Sequence, residues 1–279
     1  MQKKYNRQKK YRFSKKEKNY IHPKTYFLCN DFPMDPAYTH LAKYYDSLMP
    51  ESWYSSWARF ARLHIKRAGI KPRLIIDLAC GTGRLAARLN RIAPVIGIDN
   101  SLAMLRVARH NYPNVHFHAG ALTTFKLPGR QKTDIITCAF DSLNYLPSDK
   151  ELHVTLARCI SRLSPRGLLL FDVNGERAFS AQGKKTNRRA YVFGNDQIIW
   201  KNTFYPKVWK AEFEIRTKNA HGRQIKHYEQ HIEKYYSPQL ILEILKRLDV
   251  RVLGIYRDAV MHRVTKKNKR YFFVVQKNQ

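Results

Sequence analysis

The chain has 279 residues and a hydrophobic fraction of 44%, which is enough for the core of one domain of ordinary size with an appendage. It contains no apolar run near the ~18 residues of a membrane span and no apolar core of a secretory signal, so we expect a cytoplasmic protein without a membrane partner. The net charge of +31, from 52 Lys and Arg against 21 Asp and Glu, favours contact with polyanions such as nucleic acid and equally suits a solvated basic surface.

The N-terminal segment, residues 1–25, is strongly basic, with ten Lys and Arg and a single Glu. It shows no apolar periodicity, which predicts a disordered tail. Such a tail could dock on a polyanion. A targeting presequence is an alternative that the composition leaves open.

Residues 26–70 are predicted to form a helical cap in front of the main domain. Two stretches there repeat apolar side chains at helical spacing. In the first stretch the apolar positions are Leu41, Tyr44, Tyr45 and Leu48. In the second stretch one face is predicted to carry Trp53, Trp57, Phe60 and His64.

A glycine turn follows the first predicted strand, Leu74–Leu78, and leads into a helix at Arg84–Asn90. Its sequence is Asp77-Leu78-Ala79-Cys80-Gly81-Thr82-Gly83, in which two glycines remove the Cβ atoms that would keep a ligand off the backbone. The helix N-terminus offers free N–H groups. Asp77 would repel a pyrophosphate and attract a cation, so the turn favours S-adenosylmethionine, which carries an ammonium and a sulfonium.

The stretch Gly81–Ala86 also satisfies the loose G-x-G-x-x-G/A pattern of dinucleotide-binding folds, so a nicotinamide or flavin cofactor is the alternative. The second predicted strand, Val95–Asp99, ends in an acid that could bind both hydroxyls of a ribose. Dinucleotide enzymes share that acid. The combination of Asp77 with Asp99 is therefore what favours S-adenosylmethionine over NAD.

The remaining core segments alternate between strands and helices, which indicates a parallel sheet covered by helices. Ser101 and Ser148 are predicted to cap two of those helices. The further strands of this region are Val115–His118, Asp134–Phe140 and Gly167–Asn174.

After Ala181 the pattern changes to strands rich in β-branched and aromatic residues, joined by turn signals. An antiparallel meander is predicted over residues 182–236, with strands at Ala190–Phe193, Gln197–Tyr205, Val208–Lys218 and Gln224–Tyr236. Residues 237–279 then return to the core. They supply a helix that ends near Leu248 and two strands, Val250–Arg257 and Tyr271–Gln276.

Together these motifs resemble the class I S-adenosylmethionine-dependent methyltransferases, in the branch with an N-terminal helical cap and a late β-rich insertion. The resemblance runs from about Tyr38 onwards. It implies an α/β fold with a Rossmann-like, doubly wound, seven-stranded, mostly parallel sheet and an antiparallel β insertion. Residues 71–181 would bind S-adenosylmethionine, and residues 182–236 would lie on the substrate side. The matching segments are Leu41–Met49, Asp77–Gly83, Gly97–Ser101, Phe140–Leu146 and Leu169–Asn174.

The resemblance also implies how the cofactor would lie. Its methionine part would rest on the glycine turn with the ammonium at Asp77, its ribose would bind Asp99, and its adenine would lie beside Met104. Relatives often place an acid after the third strand to bind the adenine amino group, and here Ala121 stands at that position. The implied cofactor-binding residues are Tyr45, Asp77, Ala79, Gly81, Gly83, Asp99, Asn100, Met104 and Phe140.

The loop that follows the fourth strand would lie at the methyl end of the cofactor, so Asp141, Asn144 and Tyr145 are the candidates for positioning the acceptor. This loop lacks the Asn/Asp-Pro-Pro-Tyr/Phe motif of exocyclic base N-methylation. It also lacks the Pro-Cys pair of covalent pyrimidine methylation. The four cysteines, Cys29, Cys80, Cys138 and Cys159, have no metal-ligand spacing, so we expect free thiols and no metal site.

Three classes of function follow from these features. The first is a methyltransferase acting on an unidentified small molecule, which the loop after the fourth strand and the β insertion favour. The second is an RNA or ribosome-associated methyltransferase, which the charge favours. It would dock through the basic tail and through two basic patches, Lys184–Arg189 and Arg263–Arg270. The third is a non-catalytic protein that binds S-adenosylmethionine or nucleic acid. The intact set Asp77, Gly81, Gly83 and Asp99 argues against it.

Overall fold

Two helices precede the central sheet in the computed structural model, which describes residues 34–127, 131–180, 186–265 and 268–279. Helix α1 spans Ala42–Leu48 and helix α2 spans Glu51–Arg67. The buried face of α2 includes Trp57 and Phe60, as predicted, but Trp53 is 51% exposed. The prediction for Trp53 is wrong because Tyr54, one position later, takes the place facing the core. The basic tail, residues 1–25, lies outside the described residues.

A seven-stranded sheet forms the centre of the fold and confirms the predicted architecture. Its strands are β1 (Ile75–Leu78), β2 (Val95–Asp99), β3 (His116–Ala119), β4 (Thr133–Cys138), β5 (Leu163–Asn174), β10 (Val250–Tyr256) and β11 (Arg270–Lys277). The spatial order is β10-β11-β5-β4-β1-β2-β3. The five strands β1 to β5 run parallel, and β11 is antiparallel to both of its neighbours.

Strand β5 begins four residues earlier than predicted. Leu163 pairs with Thr133 of β4, and the ladder then shifts register before Ile135 pairs with Leu168. Arg166 takes a positive φ of 61° within this irregularity. The residues just before the predicted strand therefore belong to β5 and form a bulge in it.

Helices cover both faces of the sheet, as parallel sheets require. Helix α2 shares one apolar cluster with α3 (Arg84–Leu89) and α4 (Leu102–Asn111). Helices α5 (Asp149–Arg162) and α7 (Pro238–Lys246) share the other. Ser101, Ser148 and Ser237 cap α4, α5 and α7 by accepting the backbone N–H three residues on. The predicted caps at Ser101 and Ser148 are confirmed. A further short helix, α6, spans Glu176–Ser180.

The late insertion forms a separate antiparallel sheet. Its strands follow one another in space as they do in sequence: β6 (Asn187–Phe193), β7 (Asp196–Tyr205), β8 (Val208–Lys218) and β9 (Gln224–Lys234). One face of this insertion sheet packs on helix α1, where Leu41 and Tyr44 contact an apolar cluster that includes Ile198, Phe213 and Ile215. The first helix of the cap therefore packs on the insertion, whereas α2 packs on the central sheet.

Over the described ranges, no helix is long and apolar enough to cross a membrane. Cys80, Cys138 and Cys159 are buried free thiols, as predicted, and Cys29 lies outside the described residues. Burial raises the pKa of each of the three thiols well beyond the ordinary value for cysteine. Such thiols stay protonated and act as small apolar side chains.

Candidate active site

A cavity of about 630 Å³ lies beyond the carboxyl ends of β1, β2, β3 and β4. Its volume falls within the range of small-molecule sites, roughly 300–1,000 Å³, and its place is where ligands bind in such sheets. It brings together eight of the twelve predicted site residues. Those eight are Tyr45, Ala79, Gly81, Asp99, Asn100, Met104, Phe140 and Tyr145.

The two glycines of the turn after β1 have different physical roles. Gly81 has φ +55° and open space where a Cβ would point, and it lines the cavity. Gly83 has φ +82° and does not line the cavity. A Cβ there would meet the ring of Phe117 at 2.7 Å and that of Tyr112 at 3.1 Å. Gly81 therefore leaves room for a ligand, whereas Gly83 is required by packing inside the fold.

Asp99 joins the end of β2 to the glycine turn and faces the cavity. One carboxylate oxygen accepts the N–H of Gly81 at 2.8 Å, and the other accepts the N–H of Ser101 at 2.8 Å. Burial raises the pKa of Asp99, and these backbone hydrogen bonds act in the opposite direction. Each oxygen keeps a further lone pair, so the carboxylate can accept hydrogen bonds from two hydroxyls of a ribose.

Asp77 is buried beneath the glycine turn at the end of β1, with 1% of its surface exposed. Oδ1 accepts the Thr137 hydroxyl at 2.6 Å, while the buried Oδ2 has no hydrogen-bond partner among the described residues. Burial raises the pKa of Asp77 to about 7, against a lowering by Thr137 and with a further rise from Asp99. Asp77 is not among the residues lining the cavity. Its unpaired oxygen nevertheless fits a site that receives a cationic ligand.

The part of the cavity beside β2 and β3 is mainly apolar. Met104 is buried and lines it together with Ile98 and Leu102, and Asn100 adds an exposed polar side chain. The segment after β3 lines the cavity at Gly120–Thr123. Ala121 stands there as the sequence indicated, so an adenine would meet backbone groups and apolar side chains in this region.

The loop after β4 is held by one buried carboxylate, Asp172 of β5. The N–H groups of Phe140 and Asp141 donate to it at 2.7 and 3.2 Å, and the indole of Trp57 donates at 2.9 Å. Arg270 completes the set with an ion pair at 2.5 Å. Phe140 and Asp141 both have positive φ, 58° and 55°, a strained conformation that such anchoring sustains.

Two of the three candidates for positioning the acceptor bind other residues of the protein. Asn144 is fully buried, donates to the carbonyl of Lys234 at 2.7 Å and accepts the N–H of Asn174 at 2.8 Å. Asp141 pairs with Arg270 at 2.9 Å and accepts the side-chain amide of Asn174 at 2.5 Å. Neither residue lines the cavity. Tyr145 is the candidate that does.

Three tyrosines close the end of the cavity next to the loop after β4. The hydroxyls of Tyr38 and Tyr145 are 2.6 Å apart, and the ring of Tyr45 meets that of Tyr38 edge-on at 5.6 Å. Burial raises the pKa of all three well above the ordinary value for tyrosine, so their hydroxyls stay neutral. Tyr38 precedes α1 and belongs to none of the motifs in the sequence. No role in the site was therefore predicted for it.

Comparison with known proteins places this site in a family. A family model described as a methyltransferase domain matches residues 75–167. One relative is a protein of Geobacillus sp. (strain WCH70) with the provisional name methyltransferase, which is 29% identical over 258 residues. The match covers 86% of this chain and 100% of the relative. The crystal structure of an S-adenosylmethionine-dependent methyltransferase from Clostridium acetobutylicum ATCC 824 shares the fold, with a TM-score of 0.72, 21% identity and coverage of 86% of this chain and 96% of that one.

This chain is an S-adenosylmethionine-dependent methyltransferase with a class I fold. A further relative of this methyltransferase is the dTDP-3-amino-3,6-dideoxy-α-D-glucopyranose N,N-dimethyltransferase of Streptomyces fradiae, 31% identical over 109 residues. That match covers 39% of this chain and 42% of the relative. It is therefore evidence about part of the chain only.

The residues present fit the cofactor of this family. The unpaired buried oxygen of Asp77 suits a cation, the carboxylate of Asp99 faces the cavity, and Gly81 leaves open space above its Cα. A pyrophosphate would instead meet two carboxyl groups at this end of the sheet. The site of this methyltransferase thus matches S-adenosylmethionine and argues against the dinucleotide alternative.

Proposed function

We propose that this methyltransferase acts on a small polar molecule that binds at the tyrosine-lined end of the cavity. The observation that carries the proposal is the pair of neutral hydroxyls, Tyr38 and Tyr145, at the end of the cavity where the loop after β4 begins. A neutral hydroxyl oxygen can accept a hydrogen bond from a hydroxyl or amino group of an acceptor. The acceptor would enter between that loop and the N-terminal segment beside the insertion.

The charge of the cavity supports a small molecule over nucleic acid. Among the described residues that line it, Arg106 is the basic side chain, against two acids, Asp99 and Glu151. A phosphate backbone is bound by clusters of Lys and Arg. The +31 charge of the chain is therefore not concentrated where methyl transfer would take place. The amino-sugar N,N-dimethyltransferase named above is a relative that acts on a small molecule, in keeping with this assignment.

We assign the cofactor contacts as follows. Asp99 would accept hydrogen bonds from the ribose hydroxyls. Asp77 would lie near the ammonium group, and Ala79 and Gly81 would contact the methionine part. S-adenosylmethionine supplies a methyl group on a positively charged sulfur, a good leaving group that needs no covalent help from the protein. The protein then has to align the acceptor and exclude water. Asn100, Met104, Phe140 and Tyr45 would complete the binding site.

A methyl-acceptor screen tests the proposal. The full chain and S-adenosylmethionine labelled in the methyl group are incubated with separate metabolite, RNA and protein fractions. We expect label in the metabolite fraction, and less of it with Tyr145→Phe. Tyr191→Phe removes a tyrosine hydroxyl of the insertion that does not line the cavity and serves as the matched control. Label transferred to RNA alone would overturn the proposal.

A further inference from the structure

A chain of hydrogen bonds leads from the cavity into the insertion sheet. Tyr38 and Tyr145 meet through their hydroxyls at 2.6 Å. The Tyr145 hydroxyl lies 3.2 Å from Nδ1 of His231 on β9. Nε2 of His231 lies 3.3 Å from Oε2 of Glu229 on the same strand. The first two groups line the cavity, whereas His231 and Glu229 lie behind them.

Glu229 is built to remain a carboxylate although it is completely buried. The backbone N–H of Tyr38 donates to Oε2 at 2.8 Å, that of Leu41 donates to Oε1 at 2.9 Å, and that of His40 also donates to Oε1. Burial raises the pKa of Glu229, but His231 and these amides outweigh it and hold the pKa below its ordinary value. A carboxylate accepts hydrogen bonds and donates none.

The carboxylate fixes the tautomer of His231. Nε2 must carry the hydrogen, because it faces an atom that can only accept. Nδ1 then presents a lone pair, and the Tyr145 hydroxyl donates to it. His231 is 4% exposed and packs against the rings of Tyr38, at 4.3 Å, and Phe213, at 4.9 Å. Among the described residues, its hydrogen-bonded connection to the cavity therefore runs through Tyr145.

We propose that Tyr145, His231 and Glu229 form a proton relay that removes the proton from the hydroxyl or amino group of the acceptor. This inference rests on the proposed function, because it needs an acceptor bound beside Tyr145. The step is balanced as follows. The acceptor lone pair forms the new bond to the methyl carbon while the carbon–sulfur bond breaks, and that electron pair stays on sulfur. The acceptor proton passes to the Tyr145 oxygen as the Tyr145 proton passes to Nδ1 of His231.

The surroundings explain why the proton passes through Tyr145 and does not leave it as a phenolate. Burial, as the largest cause, together with the nearby acids Glu233 and Asp141, keeps the pKa of Tyr145 well above its ordinary value. Tyr145 must therefore gain one proton as it loses another. Of these two acids, Asp141 is paired with Arg270, and burial raises the pKa of Glu233 well above its usual range. The negative charge that faces the resulting imidazolium is that of Glu229. After the product has left the site, the proton is released to water.

Nuclear magnetic resonance of the full chain labelled with ¹⁵N-histidine tests the relay without any acceptor. We expect His231 to carry its hydrogen on Nε2 and to have an unprotonated Nδ1. In Tyr145→Phe the Nδ1 resonance of His231 should shift because its hydrogen bond is lost. His227→Asn, which changes a histidine four positions earlier on β9, is the matched control and should leave the His231 signals in place. A hydrogen on Nδ1 of wild-type His231 would overturn the relay.

Turnover on the acceptor fraction identified by the screen gives the second readout. General bases contribute about 10²–10⁴-fold, so Tyr145→Phe and His231→Asn should each lower kcat by about 100-fold or more. Calorimetry with S-adenosylhomocysteine should give an unchanged Kd, which shows that the variants are folded. The part of the pH dependence of kcat that arises from the base should disappear in His231→Asn.

The two proposals fail in different ways. Label in RNA would end the proposed small-molecule function, and the nitrogen signals would still report on the relay geometry. Label in a metabolite with unchanged kcat in Tyr145→Phe would leave the proposed function standing and overturn the relay.

Discussion

Asp77→Asn is expected to change stability and cofactor affinity in opposite directions. The wild-type carboxyl is buried with one oxygen unpaired, and its pKa is raised from 3.8 to about 7. The amide has the same shape, keeps an oxygen for Thr137 and cannot ionise. It also brings a buried N–H₂ donor, whose cost does not depend on pH. The pH dependence of the difference between the two proteins therefore isolates the ionisation of Asp77.

The sign and size of the change in the free energy of unfolding follow from the folded-state and unfolded-state pKa values of Asp77. Because the folded-state pKa lies above the unfolded value, the unfolded chain binds fewer protons between them, and the free energy of unfolding falls as pH rises. With 3.8 and about 7, the wild type should lose about 2–3 kcal/mol relative to Asp77→Asn between pH 5 and pH 8. The loss should level off once pH passes about 7, where the folded-state carboxyl is already ionised.

Cofactor binding, unlike stability, should be favoured by the ionised carboxylate of Asp77. A cationic ammonium near Asp77 stabilises the carboxylate, so binding near neutral pH should release a proton. Wild-type affinity for S-adenosylhomocysteine should then be about tenfold weaker at pH 6 than at pH 8, since the bound carboxyl must first ionise. Asp77→Asn should bind more weakly at pH 8 and show no such pH dependence.

Urea unfolding followed by circular dichroism at pH 5, 6, 7 and 8 measures the first effect. Calorimetry in buffers of different ionisation enthalpy measures the released proton. Glu243→Gln, which removes an exposed carboxylate from α7, controls for the loss of one negative charge. Parallel stability curves for the wild type and Asp77→Asn from pH 5 to 8 would refute the reasoning.

Three further changes have expected outcomes. Asp99→Ala should weaken S-adenosylhomocysteine binding by about 1.5–3 kcal/mol in calorimetry, the scale of hydrogen bonds to a charged group; unchanged affinity in a folded variant would remove Asp99 from the site. Gly83→Ala should lower the free energy of unfolding by about 2 kcal/mol or more in urea titrations, because of its φ of +82° and the contact with Phe117; a neutral result would contradict the packing role. Deleting residues 1–24 should leave cofactor affinity unchanged while reducing RNA affinity and the slope of its salt dependence; an identical slope would mean that the tail does not contact phosphates.

The position of the cavity at the carboxyl edge of the sheet was predictable because its signals in the sequence are local. Asp77, Gly81 and Asp99 lie at strand ends within about one βαβ unit, and parallel strands bring their carboxyl ends to one edge. The predicted strands of the central sheet and of the insertion are all present, with ends shifted by a few residues. Gly83 belongs to the same motif, and the sequence could not distinguish its packing role from contact with a ligand.

The surroundings of the tyrosine-lined end of the cavity depend on contacts between distant segments. Asn144 and Asp141 are polar residues in the expected loop, but their partners lie on β5, β9 and β11, which no local pattern reveals. Tyr38 and Glu229 are 191 positions apart and meet only when the insertion folds against the N-terminal segment. A buried glutamate on a strand rich in charged residues looks, in sequence, like a solvated side chain.

The three backbone amides held by Glu229 also define which parts of the chain can be exchanged between relatives. A chimaera that received a foreign insertion without the matching segment 38–41 would bury a carboxylate with no donors, or leave three amides without an acceptor. Either mismatch carries a heavy desolvation cost. The transferable module is therefore discontinuous, joining residues 34–48 to residues 187–234, and new acceptor specificities would arise by changing both pieces together.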